Sequence, residues 1–254
     1  MTGLLVKKFG PVAEGAPYRA PAADLYSEAA VMLVVAALVY PLGANTLAMS
    51  VIFGVILVLR FSLLYRRGDL IVFLLGVTAG GGNDILSMYK GVYQYLPPSE
   101  LPVPIPLWMV IFWGEAFLFF RRLMRYARFL GPDQKPRLVD PALALDLVIV
   151  VAYRMIIYRT AAVAWLPDAL FAAILVVRLL VIPPLPHERA VMLVILVLGP
   201  IYEIILIGGG LYLYQTPVFF GMPLWLIVYW VFIFRFLKAV IDRMEHFIPL
   251  CRAA

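Results

Sequence analysis

The chain reads as an all-α, polytopic membrane protein of about eight transmembrane helices, arranged as two parallel four-helix repeats. Three observations carry that expectation: the composition, the length of the apolar runs, and a set of polar and aromatic residues that occurs twice. Of 254 residues, 64% are hydrophobic and 14% are charged, and the mean hydropathy is +0.97. A soluble domain is about half apolar and a quarter charged. The runs match the roughly 20 helical residues needed to cross a hydrocarbon core of about 30 Å. They are too uninterrupted for the alternating strands of a barrel.

Read in order, the predicted spans run from Tyr26 to Leu42, Asn45 to Tyr65, Asp69 to Tyr95, Pro104 to Tyr126, Pro141 to Tyr158, Val163 to Pro183, Glu188 to Tyr214, and Phe219 to Val240. The organisation is then an N-terminal segment (1–25), a first repeat (26–126), a basic linker (127–140), a second repeat (141–240) and a tail (241–254). Gly131-Pro132 and Lys135-Pro136 mark the linker as a surface connection. Gly10 to Ala23 holds no apolar stretch of the kind a cleaved secretory signal needs.

Positive charge tests the span count independently, because Lys and Arg in short loops favour the cytoplasmic face. Lys7, Lys8, Arg19, Arg66, Arg67, Arg121, Arg122, Arg125, Arg128, Lys135, Arg137, Arg189, Lys238, Arg243 and Arg252 all fall on one side of an eight-helix arrangement. The other side keeps Lys90, Arg154 and Arg159. The expectation is an integral protein of a bacterial-type cytoplasmic membrane with both termini cytoplasmic. The formal net charge of +6 reads as topology and attraction to anionic headgroups. No reader motif points to nucleic acid.

The repeated set begins with Glu28, Arg60, Asp84, Gly91, Tyr93, Tyr95, Trp108 and Trp113. Asp146, Arg178, Glu203, Gly210, Tyr212, Tyr214, Trp225 and Trp230 answer it. Acid precedes arginine by 32 residues in both halves, and Tyr-x-Tyr starts nine residues after the second acid. Pro-Leu-Trp recurs at Pro106 and Pro223. An even number of spans per repeat makes the copies parallel, related by a pseudo-twofold axis along the membrane normal, and places sites between them.

Asp84 and Glu203 lie inside apolar runs, where an ionised carboxylate costs at least about 2.5 to 3.5 kcal/mol, so each should be protonated, paired or facing water. As helix residues, Asp84, Gly91 and Tyr95 would share one stripe, as would Glu203, Gly210 and Tyr214. Lys90 is a candidate partner for Asp84. Glu115 has no acidic counterpart, since Phe232 stands in the matching position; it shares a stripe with Trp108, Phe112, Phe119 and Arg122, with Arg121 or Arg122 as potential partners. Substrate or ion candidates are therefore Asp84, Glu203, Glu115, Tyr95, Tyr214, Trp113 and Trp230. Glu28 with Arg60, and Asp146 with Arg178, read as structural ion pairs or, alternatively, as holders of a substrate anion.

His187 and His246 are the only histidines and Cys251 the only cysteine, so no metal site or cofactor is expected. No P-loop, dinucleotide fingerprint or nucleophile elbow occurs. Three functions compete. A transporter or carrier for a small or amphipathic substrate, coupled to protons or cations through Asp84 and Glu203, follows most directly from the architecture. A membrane enzyme protonating an isoprenoid or other lipid is the second. The third is a non-catalytic subunit of a membrane complex. Expected partners are membrane lipid, a small-molecule or lipid substrate, and either a membrane-protein complex or further copies of the chain.

Overall fold

A computed structural model describes residues 17–126, 129–130, 136–163 and 165–251. The expectations on Lys7, Lys8, Arg128, Gly131-Pro132, Lys135 and Arg252 lie outside the described residues. Within them the chain is all-helical but for one short ribbon. The helices are α1 (Ala22–Leu42), α2 (Thr46–Leu63), α3 (Asp69–Tyr89), α4 (Leu107–Arg125), α5 (Pro141–Thr160), α6 (Leu166–Val181), α7 (Pro186–Gly208) and α8 (Leu224–Phe247). Strands β1 (Tyr93–Tyr95) and β2 (Tyr212–Tyr214) follow α3 and α7.

Six of the helices, α1, α2, α3, α5, α7 and α8, are long and apolar enough to cross a membrane. The other two differ for visible reasons. Helix α6 has 16 residues, about 24 Å at 1.5 Å per residue. Helix α4 carries Glu115, Arg121, Arg122 and Arg125, all buried.

Local chemistry sets the helix starts. The Asn45 side chain accepts from the Ala48 amide at 3.0 Å, and Asp140 accepts from Leu143 at 2.8 Å; each satisfies an amide that the helix cannot. Pro141 and Pro186 occupy first-turn positions, where the missing N–H is harmless. Pro106 and Pro223 immediately precede α4 and α8.

Two hubs organise the packing. Helix α4 packs on α1, α2 and α3, whereas α8 packs on α5, α6 and α7, and the hubs touch each other. Trp113 and Trp230 stack across that contact with ring centroids 6.2 Å apart, and Phe120 meets Phe234 edge-on at 3.9 Å. Helix α1 also reaches α7. The continuous core runs through both hubs, from Trp108 and Phe112 to Trp225 and Phe232. Conversely, Leu33, Leu63, Leu180 and Leu193 lie exposed on outer helix faces, as expected where lipid is the solvent.

The structure corrects the ends of spans three and seven. Neither continues to the Tyr-x-Tyr: α3 stops at Tyr89 and α7 at Gly208. Gly91 (φ 69°) and Gly210 (φ 71°) turn the chain in the left-handed region, which only glycine enters freely. Asp84, Gly91 and Tyr95 are therefore not a helical stripe, nor are Glu203, Gly210 and Tyr214. The tyrosines return in extended ribbons instead. Helix α8 also runs past Val240 to Phe247, and the Pro249–Cys251 turn seats Cys251 beside Gly68.

Candidate functional site

The two ribbons pair antiparallel, with Tyr93 opposite Tyr214, Gln94 opposite Leu213 and Tyr95 opposite Tyr212. Alternation along a strand puts residues two apart on one face. All four tyrosine rings therefore gather on one side, with centroids 5.2 to 6.1 Å apart. Gln94 and Leu213 face away and are exposed.

Behind each pair of tyrosines lies an acid. Asp84 accepts from Tyr93 Oη at 2.5 Å, Tyr95 Oη at 3.0 Å and Trp113 Nε1 at 2.6 Å. Glu203 accepts from Tyr212 Oη, from Tyr214 Oη at 3.5 Å and from Trp230 Nε1 at 3.2 Å. Both carboxyl groups are buried, at 4% and 7% exposure. Their partners are the same residue types, two ribbon tyrosines nine and eleven residues after each acid and one indole from the hub helix, 29 residues on in the first half and 27 in the second. Lys90, the expected partner of Asp84, instead caps α3 and is exposed.

The indoles reach the acids because the facing helices lack side chains at the crossing. A Cβ on Gly80 would lie 2.5 Å from the Trp113 ring, and one on Gly199 would lie 2.9 Å from Trp230. A widened π-helical turn over Gly76–Gly81 accompanies the first crossing; such turns interrupt the regular ladder and recur at functional sites. Pro200, inside the continuous helix α7, removes one backbone donor beside the second.

Asp84, Glu203 and the four tyrosines line one cavity of about 300 Å³ between the halves. The remaining walls are apolar, from Met32 on α1, Phe112 and Phe119 on α4, Leu206 on α7 and Phe234 on α8. Leu33, Leu198 and Ile201 line the cavity and are also exposed, so it reaches the outer surface along the α1–α7 seam. The hydroxyl of Tyr202 is buried in this wall and finds no hydrogen-bond partner among the described residues. Its ring stacks on Phe112 at 5.2 Å.

The polar end of this cavity is rich in acceptors. Each acid already receives three hydrogen bonds, and each tyrosine that donates its proton keeps lone pairs on its oxygen. What remains open to a ligand there accepts protons. Half-buried Arg154 stands beside this cluster, donating to Ser87 Oγ at 3.2 Å and to the Tyr229 hydroxyl, with its guanidinium 4.4 Å from the Tyr229 ring. Sequence reasoning assigned Arg154 to the sparsely charged face and Tyr229 to nothing. Ser87, Tyr202 and Tyr229 have no signal in the repeat pattern.

Glu115 does not join the cavity. Helix α2 packs against α4 and brings Arg60 Nε to 3.3 Å from its carboxyl, so neither Arg121 nor Arg122 is its partner. Among the described residues, neither Glu115 oxygen receives a hydrogen bond. The group belongs to a separate buried network at the basic end of the first half. Arg60 there meets Glu28 at 2.5 Å and Asp69 at 3.4 Å. Asp69, fully buried, also receives Arg121 at 2.5 Å and Arg122 at 2.6 Å. Arg121 continues to Glu245 at 2.7 Å. Tyr18 covers the network, 4.8 Å from Arg121 and 5.1 Å from Arg122, and donates to Asp24 at 2.8 Å. Burial pushes the Tyr18 phenol well above its ordinary pKa, against the opposing pull of Arg122. In the second half, Asp146 and Arg178 pair at 2.5 Å.

The sequence matches no protein-family model and no curated protein. Among solved structures, the chain is similar to a mycobacterial Insig homologue, MvINS from Mycobacterium vanbaalenii. The TM-score is 0.57 at 22% identity, over 71% of this chain and 96% of that one. It is also similar to a cross-linked trimer of an MvINS variant, with a TM-score of 0.56 at 25% identity over the same shares. The likeness is one of fold, to a protein with membrane helices. Together with six apolar helices it makes this chain an integral membrane protein.

Proposed function

We propose that the protein binds a hydroxyl-bearing amphipathic lipid in the cavity between its halves and serves as a membrane carrier or lipid-responsive component. One observation carries this reading: an apolar cavity open along a helix seam ends in two carboxylates and four tyrosines. Hydrocarbon fits the walls, as in most small-molecule sites, and a hydroxyl fits the end, where acceptors predominate. Tyr202 would supply a donor. Such a lipid would enter laterally between α1 and α7.

The acid-chemistry alternative is less well supported, because both carboxyl groups accept hydrogen bonds from three donors rather than offering a proton to the cavity. Coupled transport of a small polar solute suits the apolar walls less well than carriage of an amphipath. The matched contacts of Asp84 and Glu203 favour two repeats (26–126 and 141–240) related by a pseudo-twofold axis, with α4 and α6 completing eight spans. Their arginine-rich ends favour placing both termini on the cytoplasmic side. The cross-linked trimer of MvINS makes a homo-oligomer the preferred assembly.

The test is equilibrium binding of a long-chain lipid alcohol and of its O-methyl ether to purified protein, read by the fluorescence of Trp113 and Trp230. The alcohol should bind at least about tenfold more tightly, since a site built around hydrogen bonding rejects an analogue lacking the donor. Equal affinities, or no binding of either, would overturn the assignment.

A further inference from the structure

A second cavity, of about 870 Å³, lies at the basic end of the second half, away from the carboxylate–tyrosine cluster. Its wall comes from the start of α5, the end of α6, the start of α7 and the last turns of α8, closed on one side by the N-terminal segment and the linker. Among the described residues, seven Lys and Arg side chains line it against four Asp and Glu. A cleft lined by an excess of positive charge attracts anions.

Two of these arginines are buried with hydrogen-bonding capacity unused. Arg178 is 1% exposed; its Nε donates to Asp146 at 2.5 Å and its Nη1 to the Ile182 carbonyl at 2.9 Å, while its Nη2 has no partner among the described residues. Arg235, 7% exposed, approaches Glu188 only at 3.6 Å, and its Nη1 is likewise unpaired. Their like charges act on each other. An unmade hydrogen bond on a buried charged group is costly, and an anion seated between the two guanidinium groups would satisfy both.

The first half shows what a closed version looks like. Arg60, the counterpart of Arg178, also has one unpaired nitrogen, but Glu28, Asp69 and Glu115 all lie within 3.4 Å of its guanidinium. An added anion would be repelled there. Glu115 and Leu118 of α4 correspond to Phe232 and Arg235 of α8, so in the second half an acid is lost and a base is gained.

We propose that this cleft binds a terminal phosphate group, held by Arg178 and Arg235 and assisted by Lys238. Guanidinium forks match phosphate oxygens in geometry as well as charge. Basic pockets between membrane helices also recognise lipid headgroups. The same chemistry is available from an anionic lipid headgroup or from a free phosphate, and the experiment separates them.

Native mass spectrometry and thermal melts would be recorded for the full chain in phosphatidylcholine nanodiscs, alone, with phosphatidic acid added, and with inorganic phosphate added. If the headgroup is the source, one phosphatidic acid is retained and raises the melting temperature, and inorganic phosphate at matched concentration does neither. If free phosphate is the source, inorganic phosphate stabilises the protein as well as phosphatidic acid does. Either result should weaken about tenfold in Arg235→Gln, the loss expected for a charge-assisted contact. Lys238→Gln, which leaves the Arg178–Asp146 pair untouched, should give a smaller loss and covers the case of a poorly folded Arg235 variant. Arg66→Gln, on the opposite charge network, should bind as the unaltered chain does. The proposal is overturned if neither phosphate form binds above the phosphatidylcholine background, or if Arg235→Gln and Lys238→Gln both fold and bind undiminished.

Discussion

The two halves place an acid–arginine pair at equivalent positions and surround it differently. At the basic end of the first half, Asp69 is gripped by Arg60, Arg121 and Arg122, with Glu28, Glu115 and Glu245 completing a sealed network. In the second, Asp146 holds Arg178 beside a broad cleft, and Arg235 approaches its acid, Glu188, only at 3.6 Å. At the other end the halves are alike, each presenting an acid, two tyrosines and an indole. One end differs between the halves in its surroundings, while the other makes the same kinds of contact in both. A sealed charge network serves to fix α2, α3 and α4, whereas an open one is available to a ligand.

The sealed network should give the largest response to mutation. Asp69→Asn leaves three buried guanidinium groups without their common acid and should destabilise the protein by about 3–5 kcal/mol, the usual cost of breaking a buried charge cluster. Asp146→Asn should cost less, about 1–3 kcal/mol, because the freed guanidinium keeps its bond to Ile182 and lines a cleft large enough for water. Unfolding in mixed micelles measures both. Equal losses would erase the distinction between a closed and an open end.

The equivalence of the carboxylate ends can be sharpened next. Tyr93→Phe and Tyr212→Phe each remove one hydroxyl from an acid in the same geometry, and each should weaken lipid-alcohol binding by about 1–2 kcal/mol. A loss confined to one half would show that only one acid serves the ligand. Gly91→Ala and Gly210→Ala probe the turns that return the tyrosines. A Cβ at either position meets nothing within 4 Å, so only the left-handed backbone is penalised, at about 1–2 kcal/mol.

Much of this was legible in one sequence. The recurring acid, Tyr-x-Tyr and tryptophan pattern picked out the residues that meet at each carboxylate, because the same residue types come together in both halves. Composition and the length of the apolar runs identified the membrane class, and polar positions inside those runs identified the acids that need partners. The path of the chain was harder to read. Apolar residues continue through Gly91 and Gly210, so hydropathy extends both helices past a turn set by glycine backbone conformation alone. Glu115 looked solitary because Arg60 comes to it from another helix, and no periodicity within α4 encodes that. Arg154 and Tyr202 have no counterparts of their type in the first half, so repetition could not flag them.

The smallest effect concerns the thiol. Cys251 is buried beside Gly68, and burial pushes its pKa up to about 11. At pH 8 only about one part in a thousand would be thiolate, so alkylation of the folded protein should be slow and should accelerate when Asp69→Asn loosens that end. Rapid labelling of the unaltered protein would contradict the packing described there.

The central claim is that Asp84 and Glu203 serve one ligand from opposite halves. A double-mutant cycle on lipid-alcohol affinity, with Asp84→Asn, Glu203→Gln and the pair, tests it most directly. A shared site predicts non-additive losses, with a coupling of about 1 kcal/mol or more. Strictly additive effects, or an unchanged affinity in the double variant, would contradict it.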